Sequence, residues 1–390
     1  MKLYINIALR AALLTAITST TLANTTSLVT YPSTINGYIT DCIINTYNDD
    51  TQTYTPIIYN NTGNISINSN QVQQIMRAGD APITFENNDD INIINNNINQ
   101  GAFFSNGVIN FQGNQNITIA GNTGNGTIFT GSQGVYFNHN GDIAVKENSN
   151  NYNIFHAYND IELKNNGNIT VSNNGLATNI IYSWTGNVDI SDNQKVHFTR
   201  NTTESTYQPW GPFAVIESSA SVIINNNTEI LFEGQSIIAG SAEDTTGINA
   251  KSLKIEKNGL VAFKDNKMSG SYGSTLFVIE ENVDISQNTN VEITSNDGTN
   301  SDGNINHLMI VGESLNLSNN DTLKIENNSG KIAGKNVNIT NNGSVTFSGN
   351  RMNSTTSAHI ETEQGGLNIT GNDQVVFEKN YVRNSDADFR

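Results

Sequence analysis

The chain of 390 residues has a single cysteine, Cys42, and only 19 lysines and arginines against 36 acidic residues. One thiol excludes an internal disulfide, so the stability of the fold must come from packing. The net charge of −17 makes nucleic acid and anionic membrane surfaces poor partners, because both repel an acidic protein. We interpret Cys42 as a buried thiol in an N-terminal cap, with intermolecular pairing as the alternative.

Sequence patterns of common catalytic and metal sites are also missing. The chain has no HExxH motif, nucleophile elbow, P-loop or calcium nonapeptide array, and its five histidines share no metal-type spacing. We therefore predict no metal and no cofactor. Residues 1–23 combine Lys2, Arg10 and a short apolar run, which predicts a secretory signal peptide and not a membrane span. The expected fate of the chain is therefore secretion.

What the chain does have is one repeated pattern, aliphatic–x–apolar–x–x–Asn, followed by the same pattern eight residues later. The first halves begin at residues 57, 83, 109, 135, 161, 188, 222, 253, 283, 315, 337 and 367. The first five units recur every 26 residues. A fixed period in this range predicts stacked units that cannot bury their apolar faces alone.

Each half of the pattern predicts a short strand followed by a corner. Apolar residues such as Ile83 and Phe85 are spaced by two, the strand period, and an asparagine such as Asn88 follows, which tolerates left-handed backbone. A third apolar patch, such as Ala102-Phe103, closes the coil. We therefore predict an all-β fold, a right-handed single-stranded parallel β-helix of about twelve coils with three short strands each. Stacked side-chain amides would account for the 67 asparagines. The alternative is an antiparallel sandwich, which the constant offset of eight disfavours.

The predicted organisation is a signal peptide at 1–23, an N-terminal cap at 24–56, β-helix repeats at 57–380, and a polar tail or truncated end at 381–390. From Val188 onward five of the six units lengthen, always between the second strand and the next unit. The inserts therefore emerge on one side of the rod, around the third strand. They are residues 202–212, 239–249, 267–274, 297–306 and 351–358.

Two of these inserts carry the candidate ligand-binding residues. Tyr207 and Trp210 lie in the first insert and Tyr272 lies in the third. An exposed Trp–Tyr pair is a common anchor for a sugar ring or a partner protein. The alternative, that Trp210 folds back over the rod, is equally compatible with the sequence. For Trp184, just before Val188, we predict a covering role over its coil.

Glu162 and Asp189 form the candidate catalytic pair. The repeat places them one layer apart and outward, where two carboxylates could serve as acid and base. No cationic residue occupies the same position in neighbouring coils to bind an acidic sugar. A non-enzymatic role is therefore favoured, and a polysaccharide-degrading activity is the alternative.

The pattern Phe-x-x-Asn gives the chain a resemblance to a known family. It occurs at residues 85–88, 111–114, 137–140, 198–201, 263–266, 347–350 and 377–380, and it follows strands such as residues 367–372. This resembles the repeat of chlamydial polymorphic outer-membrane proteins and related autotransporter passengers. The resemblance implies a secreted β-helix passenger, a virulence factor displayed on a Gram-negative surface that adheres to host cells. It also implies attachment to the outer membrane through a barrel not present in this chain.

Three functional hypotheses follow from the sequence. The favoured one is a secreted or surface-displayed adhesin that binds a host-cell protein or glycan through the one-sided loops. The second is a β-helix polysaccharide lyase or hydrolase that uses Glu162 and Asp189. The third is a structural stalk that presents another domain.

Overall fold

The computed structural model describes residues 34–38, 44–48, 53–150, 152–205, 213–239, 245–270, 274–298, 307–352, 359–362 and 365–382. All regular structure in these ranges is β-strand, and they contain no helix able to cross a membrane. Nearly all strands belong to one continuous system of parallel pairings. The prediction of an all-β solenoid is therefore confirmed.

Each coil has three sides, which we name in chain order. Eight strands lie on the first side alone: Ile57–Asn60, Ile83–Glu86, Val108–Gln112, Gly134–Asn138, Asp160–Lys164, Val188–Ser191, Val283–Ser286 and Leu367–Thr370. Four longer strands run from the third side of one coil into the first side of the next: Phe213–Asn225, Thr245–Glu256, His307–Ser318 and Lys331–Thr340.

The second side continues the stack with Thr34–Tyr38, the start of Ile65–Arg77, Asp90–Ile94, Asn116–Ala120, Asp142–Lys146, Asn168–Ser172, Lys195–Thr199, Glu229–Glu233, Leu260–Lys264, Asn290–Thr294, Thr322–Glu326, Ser344–Ser348 and Gln374–Glu378. Neighbouring strands are in register. Ile117 pairs directly with Ile91 in the coil before it and with Ile143 in the coil after it.

The third side differs from the predicted single strand because it consists of two consecutive segments. Asn97–Ser105 contains both segments. The first segments of other coils are Thr123–Gly124, Ser149–Asn150, Gly175–Leu176, Thr202–Ser205, Ser236–Ala239, Lys267–Ser269, Asp297–Gly298, Arg351–Met352 and Tyr381–Val382. The second segments include Ile44–Asn45, Thr127–Gly131, Phe155–Ala157, Ile181–Ser183, Ser274–Ile279 and Ile360–Thr362.

The stack is a parallel β-helix of the expected right-handed kind, with about eleven turns. The antiparallel sandwich is excluded. Among the described strands, only Tyr47–Asn48 and Thr53–Tyr54 pair in antiparallel orientation. The architecture follows from the period-two apolar pattern, since residues such as Ile91 and Ile93 are both buried while Asn92 between them points outward.

The corners correct one detail of the sequence interpretation. The left-handed residue is the one before each asparagine of the repeated pattern: Asn87 has φ 52° before Asn88, and His139 has φ 59° before Asn140. Asparagine, glycine, histidine, lysine and other types all occupy this position. The pattern asparagine is therefore required for its side chain and not for its backbone conformation.

That side chain forms two buried ladders along the rod. The Oδ1 atom of Asn140 accepts hydrogen bonds from both the backbone N–H and the Nδ2 atom of Asn114 in the previous coil, at 3.0 and 2.9 Å. The Nδ2 atom of Asn140 donates to Oδ1 of Asn166 and to the carbonyl of Phe111. The same four bonds recur at most rungs of both corners. The amides at these rungs are thus fully satisfied, as burial of a polar group demands.

Stacked aromatic rings fill the core of the regular coils. Phe111 lies between Phe85 and Phe137, with ring centroids 4.5 and 4.6 Å apart, and all three rings are nearly parallel. Phe129 from the third side meets Phe111 and Phe137 edge-on. The rings are completely buried. Phe-x-x-Asn therefore combines an interior ring with a corner amide.

The predicted boundaries change slightly at both ends. Thr34–Tyr38, inside the predicted cap, already forms a layer of the second side, with Ile35 paired to Ile67. Tyr381–Val382, inside the predicted tail, pairs in parallel with Arg351–Met352 and continues the stack. The predicted signal peptide, Cys42 and residues 383–390 lie outside the described residues.

Candidate ligand-binding surface

A cluster of four aromatic side chains lies on the outer face of the third side. His156 and Tyr158 come from the strand Phe155–Ala157 and its end, and Tyr182 and Trp184 occupy the same positions in the next coil. The alternating residues Phe155 and Ala157 are buried, so the four aromatic side chains point outward. We call these four residues the aromatic platform.

The platform rings stack along the rod axis. The ring centroids of His156 and Tyr182 are 5.3 Å apart and those of Tyr158 and Trp184 are 5.9 Å apart, with interplanar angles of 13° and 12°. Tyr182 and Trp184 lie side by side at 6.2 Å. Tyr158 and Trp184 are 53% and 52% exposed. The prediction that Trp184 covers its coil is therefore wrong, because this indole faces solvent over half of its surface.

Glu217 continues the platform in the following coil. It is the direct parallel partner of Tyr182, and its Oε2 atom accepts a 2.5 Å hydrogen bond from Nδ2 of Asn179. Asn179 is itself fixed, since its Oδ1 atom accepts from the backbone N–H of Ala214 and its own N–H donates to Asn153. The carboxyl group is thus held at one edge of the platform by a short third ladder of amides.

Burial lowers the charge of this surface near neutral pH. Burial raises the pKa of the Glu217 carboxyl to about 7, although the hydrogen bond from Asn179 opposes the rise. Burial lowers the pKa of His156, and burial together with the charge of Glu217 raises the pKa of Tyr182. The platform therefore presents a neutral imidazole, a protonated phenol and a carboxyl group that is partly protonated at pH 7.

The inserts open on the same side of the rod. Each interrupts the chain between the two segments of the third side, for example between Thr202–Ser205 and Phe213–Asn225. This agrees with their predicted one-sided position. The candidate binding residues Tyr207, Trp210 and Tyr272 lie outside the described residues. Phe213, the first described residue after this insert, is four residues before Glu217 on the same strand.

The candidate catalytic pair lies on the first side. Glu162 and Asp189 are direct parallel partners, as predicted, but Lys164 lies between their carboxylates. Its Nζ atom is 3.2 Å from Oε1 of Glu162 and 2.8 Å from Oδ2 of Asp189. The other oxygens accept hydrogen bonds from Asn138 and Ser191. The positions in register with this pair in the neighbouring coils are Tyr136 and Ile223, so none is cationic, as the sequence indicated. Lys164, two residues after Glu162 on the same strand, nevertheless supplies a cation to the pair.

Lys164 changes the chemistry of that pair. Partial burial alone would lower the pKa of Lys164, but hydrogen bonds from its ammonium to Asp189 and Glu162, and their charges, outweigh burial and raise it. The lysine stays charged and holds both carboxylates in an ion-pair network. Each carboxylate is already occupied, so this geometry is typical of a surface ion pair and offers no free acid and base.

Sequence reasoning missed most of the platform. The signal was present, because His156 and Tyr182, and likewise Tyr158 and Trp184, are separated by the 26-residue period on outward positions. Lys164 was also recognisable, since it is two residues after Glu162 and shares its face. No group of three or more histidine, cysteine, aspartate and glutamate side chains in the described ranges is placed to bind a metal ion.

The chain matches no family model, no curated protein and no solved structure. The function has to be argued from the geometry of the outer surfaces.

Proposed function

We propose that this chain is the binding rod of a secreted or surface-displayed adhesin, which attaches to a host-cell protein or glycan through the third side of the β-helix. The observation that carries the proposal is the exposure of Tyr158 and Trp184 as a stacked pair on that side. Large exposed aromatic side chains are typical anchors of binding surfaces.

The arrangement of the rod supports a binding role in two further ways. The backbone under the platform is fixed by parallel pairing in both directions, so ligand binding does not have to order the backbone. The described strands that flank the inserts belong to the same side. On the first side, Glu162 and Asp189 are engaged with Lys164, which favours adhesion over polysaccharide cleavage.

The experiment compares binding of the purified, labelled chain to cultured host cells. The double variant Tyr158→Ser/Trp184→Ser should lose most cell binding while its circular dichroism spectrum stays unchanged, because both side chains are half exposed. The matched control is Tyr136→Ser, an outward tyrosine on the first side between buried Val135 and Phe137. Equal binding by wild type, double variant and control would refute a role for the third side.

A further inference from the structure

At the edge where the aromatic stack of the platform ends, polar side chains follow the last aromatic ring. One face of the Trp184 indole stacks on Tyr158, and the following coil carries no aromatic residue at the corresponding positions. It carries Glu217, the partner of Tyr182, and two residues later the exposed Ser219. An exposed indole therefore adjoins a row of small and hydrogen-bonding side chains.

Glu217 has one carboxyl oxygen that could bond a polar ligand. Asn179 occupies Oε2, and within the described part of the chain Oε1 has no hydrogen-bond partner. A partly protonated carboxyl group can both donate and accept, which suits an alcohol ligand better than a fixed charge does. The fixed orientation of Asn179 leaves the carboxyl little freedom to turn away.

We infer that Trp184, Glu217 and Ser219 form a subsite for an uncharged pyranose ring, the apolar face of which stacks on the indole while its hydroxyls bond to Glu217 and Ser219. The inference rests on the proposed adhesive function and names the ligand class of its third side. Sugars expose C–H groups on one ring face and hydroxyls at the edge, so an aromatic ring beside a carboxyl group matches both.

Other ligand classes fit less well. A nucleic acid or an acidic sugar would meet a chain of net charge −17 and, above neutral pH, the ionised Glu217. A quaternary ammonium group is bound when several ring faces surround it at roughly 6 Å or less. Here Tyr158 and Trp184 stack on each other, so the space between their faces is already filled.

The test is saturation-transfer NMR on the full chain with methyl glycosides of glucose, galactose, mannose and N-acetylglucosamine. Glucuronate, N-acetylneuraminate and tetramethylammonium serve as charged probes. We expect transfer to the ring C–H protons of at least one neutral glycoside, with millimolar affinity because one ring makes few contacts. Trp184→Ala should weaken binding by about tenfold or more, which corresponds to about 1.4 kcal/mol. Trp184→Phe should retain most of it.

Glu217→Ala should weaken the same glycoside, whereas Tyr136→Ala on the first side should bind as wild type does. The inference is overturned if no neutral glycoside gives transfer at roughly 50 mM, if only tetramethylammonium binds, or if Trp184→Ala binds sugar unchanged. The cell-binding experiment separates the two proposals. If cell binding depends on the platform but no neutral glycoside binds, only the pyranose subsite is overturned. If cell binding does not depend on the platform and no neutral glycoside binds, the adhesive function is overturned as well.

Discussion

Asn114 donates a hydrogen bond from its side-chain amide to the Oδ1 atom of Asn140, 26 residues further along the chain, at 2.9 Å. The Asn114 backbone N–H donates to the same oxygen atom. Two donors of one coil thus depend on a single side chain of the next. This bond repeats along both corners of the rod, so the ladder joins neighbouring coils in addition to their backbone pairing.

Replacement of one rung should therefore weaken the stack locally. Asn140→Ala leaves both donors of Asn114 and the carbonyl of Phe111 without their partner, and each unsatisfied buried group costs about 1–3 kcal/mol. We expect faster amide hydrogen exchange in the two flanking coils, equivalent to a decrease of about 3 kcal/mol or more in the free energy of local opening. Asn110→Ala, at an outward position, is the control and should change exchange little. Equal effects of the two variants would contradict the ladder's structural role.

The residue before each ladder asparagine has a left-handed backbone, so its substitution should affect stability through backbone conformation. His139 has φ 59°, a conformation that glycine adopts freely and β-branched residues resist. We expect His139→Gly to be close to neutral and His139→Val to destabilise the rod by about 1–2 kcal/mol. The thermal unfolding midpoints of the two variants check this. A valine variant as stable as the glycine variant would show that the corner does not hold this conformation.

The raised pKa of Glu217 predicts a pH dependence of stability. The folded pKa of about 7 lies above the value of 4.5 for a free glutamate, so the protonated form is favoured in the fold. The associated stability is complete below pH 4.5 and is lost as the pH rises from 4.5 to about 7, by about 3 kcal/mol. The lowered pKa of His156 acts in the opposite direction, since its contribution is lost as the pH falls.

Comparison with Glu217→Gln isolates the carboxyl group. Both proteins keep His156, Tyr182 and Asn179 beside the site, so the difference between their unfolding free energies should depend on Glu217 alone. We expect the glutamine variant to gain relative stability between pH 5 and pH 9, as followed by urea unfolding at each pH. Parallel pH profiles of the two proteins would contradict the burial of this carboxyl group.

The ion-pair network on the first side predicts that Glu162 and Asp189 do not cleave polysaccharides. Glu162 and Asp189 are both bonded to Lys164, so neither is free to transfer a proton to a sugar. We expect no release of reducing ends from a polysaccharide panel by the wild-type chain. Release that disappears in Glu162→Gln would instead support the polysaccharide-degrading alternative.

The sequence predicts the β-helix because one short pattern specifies both the buried apolar side chains and the asparagine ladder. The spacing of Ile83 and Phe85 places both side chains inside the rod, and Asn88 three residues later supplies the rung. Repetition of the pattern at 26 residues then determines which residues are neighbours. The handedness, the register and the position of the inserts follow from these few facts.

The surface could not be derived in the same way. Outward positions are not restricted by packing, so Tyr158 and Trp184 look like ordinary variation until the register places them one above the other. The pKa of Glu217 depends on how deeply its neighbours bury it, which no pattern of residue types states. The one-sided inserts favoured Trp210 over Trp184 as a binding residue, although the 26-residue spacing of the outward aromatic residues already indicated the platform.

The most direct test of the account is ¹⁹F NMR of the chain labelled with 5-fluorotryptophan. The chain has two tryptophans, and the resonance of Trp184 can be assigned with the variant Trp210→Phe. On titration with a neutral glycoside that binds the wild-type chain, or with the host-cell ligand, we predict that the Trp184 resonance shifts with the midpoint of binding. A Trp184 resonance that stays unchanged while the ligand is fully bound would contradict the assignment of the third side as the binding surface.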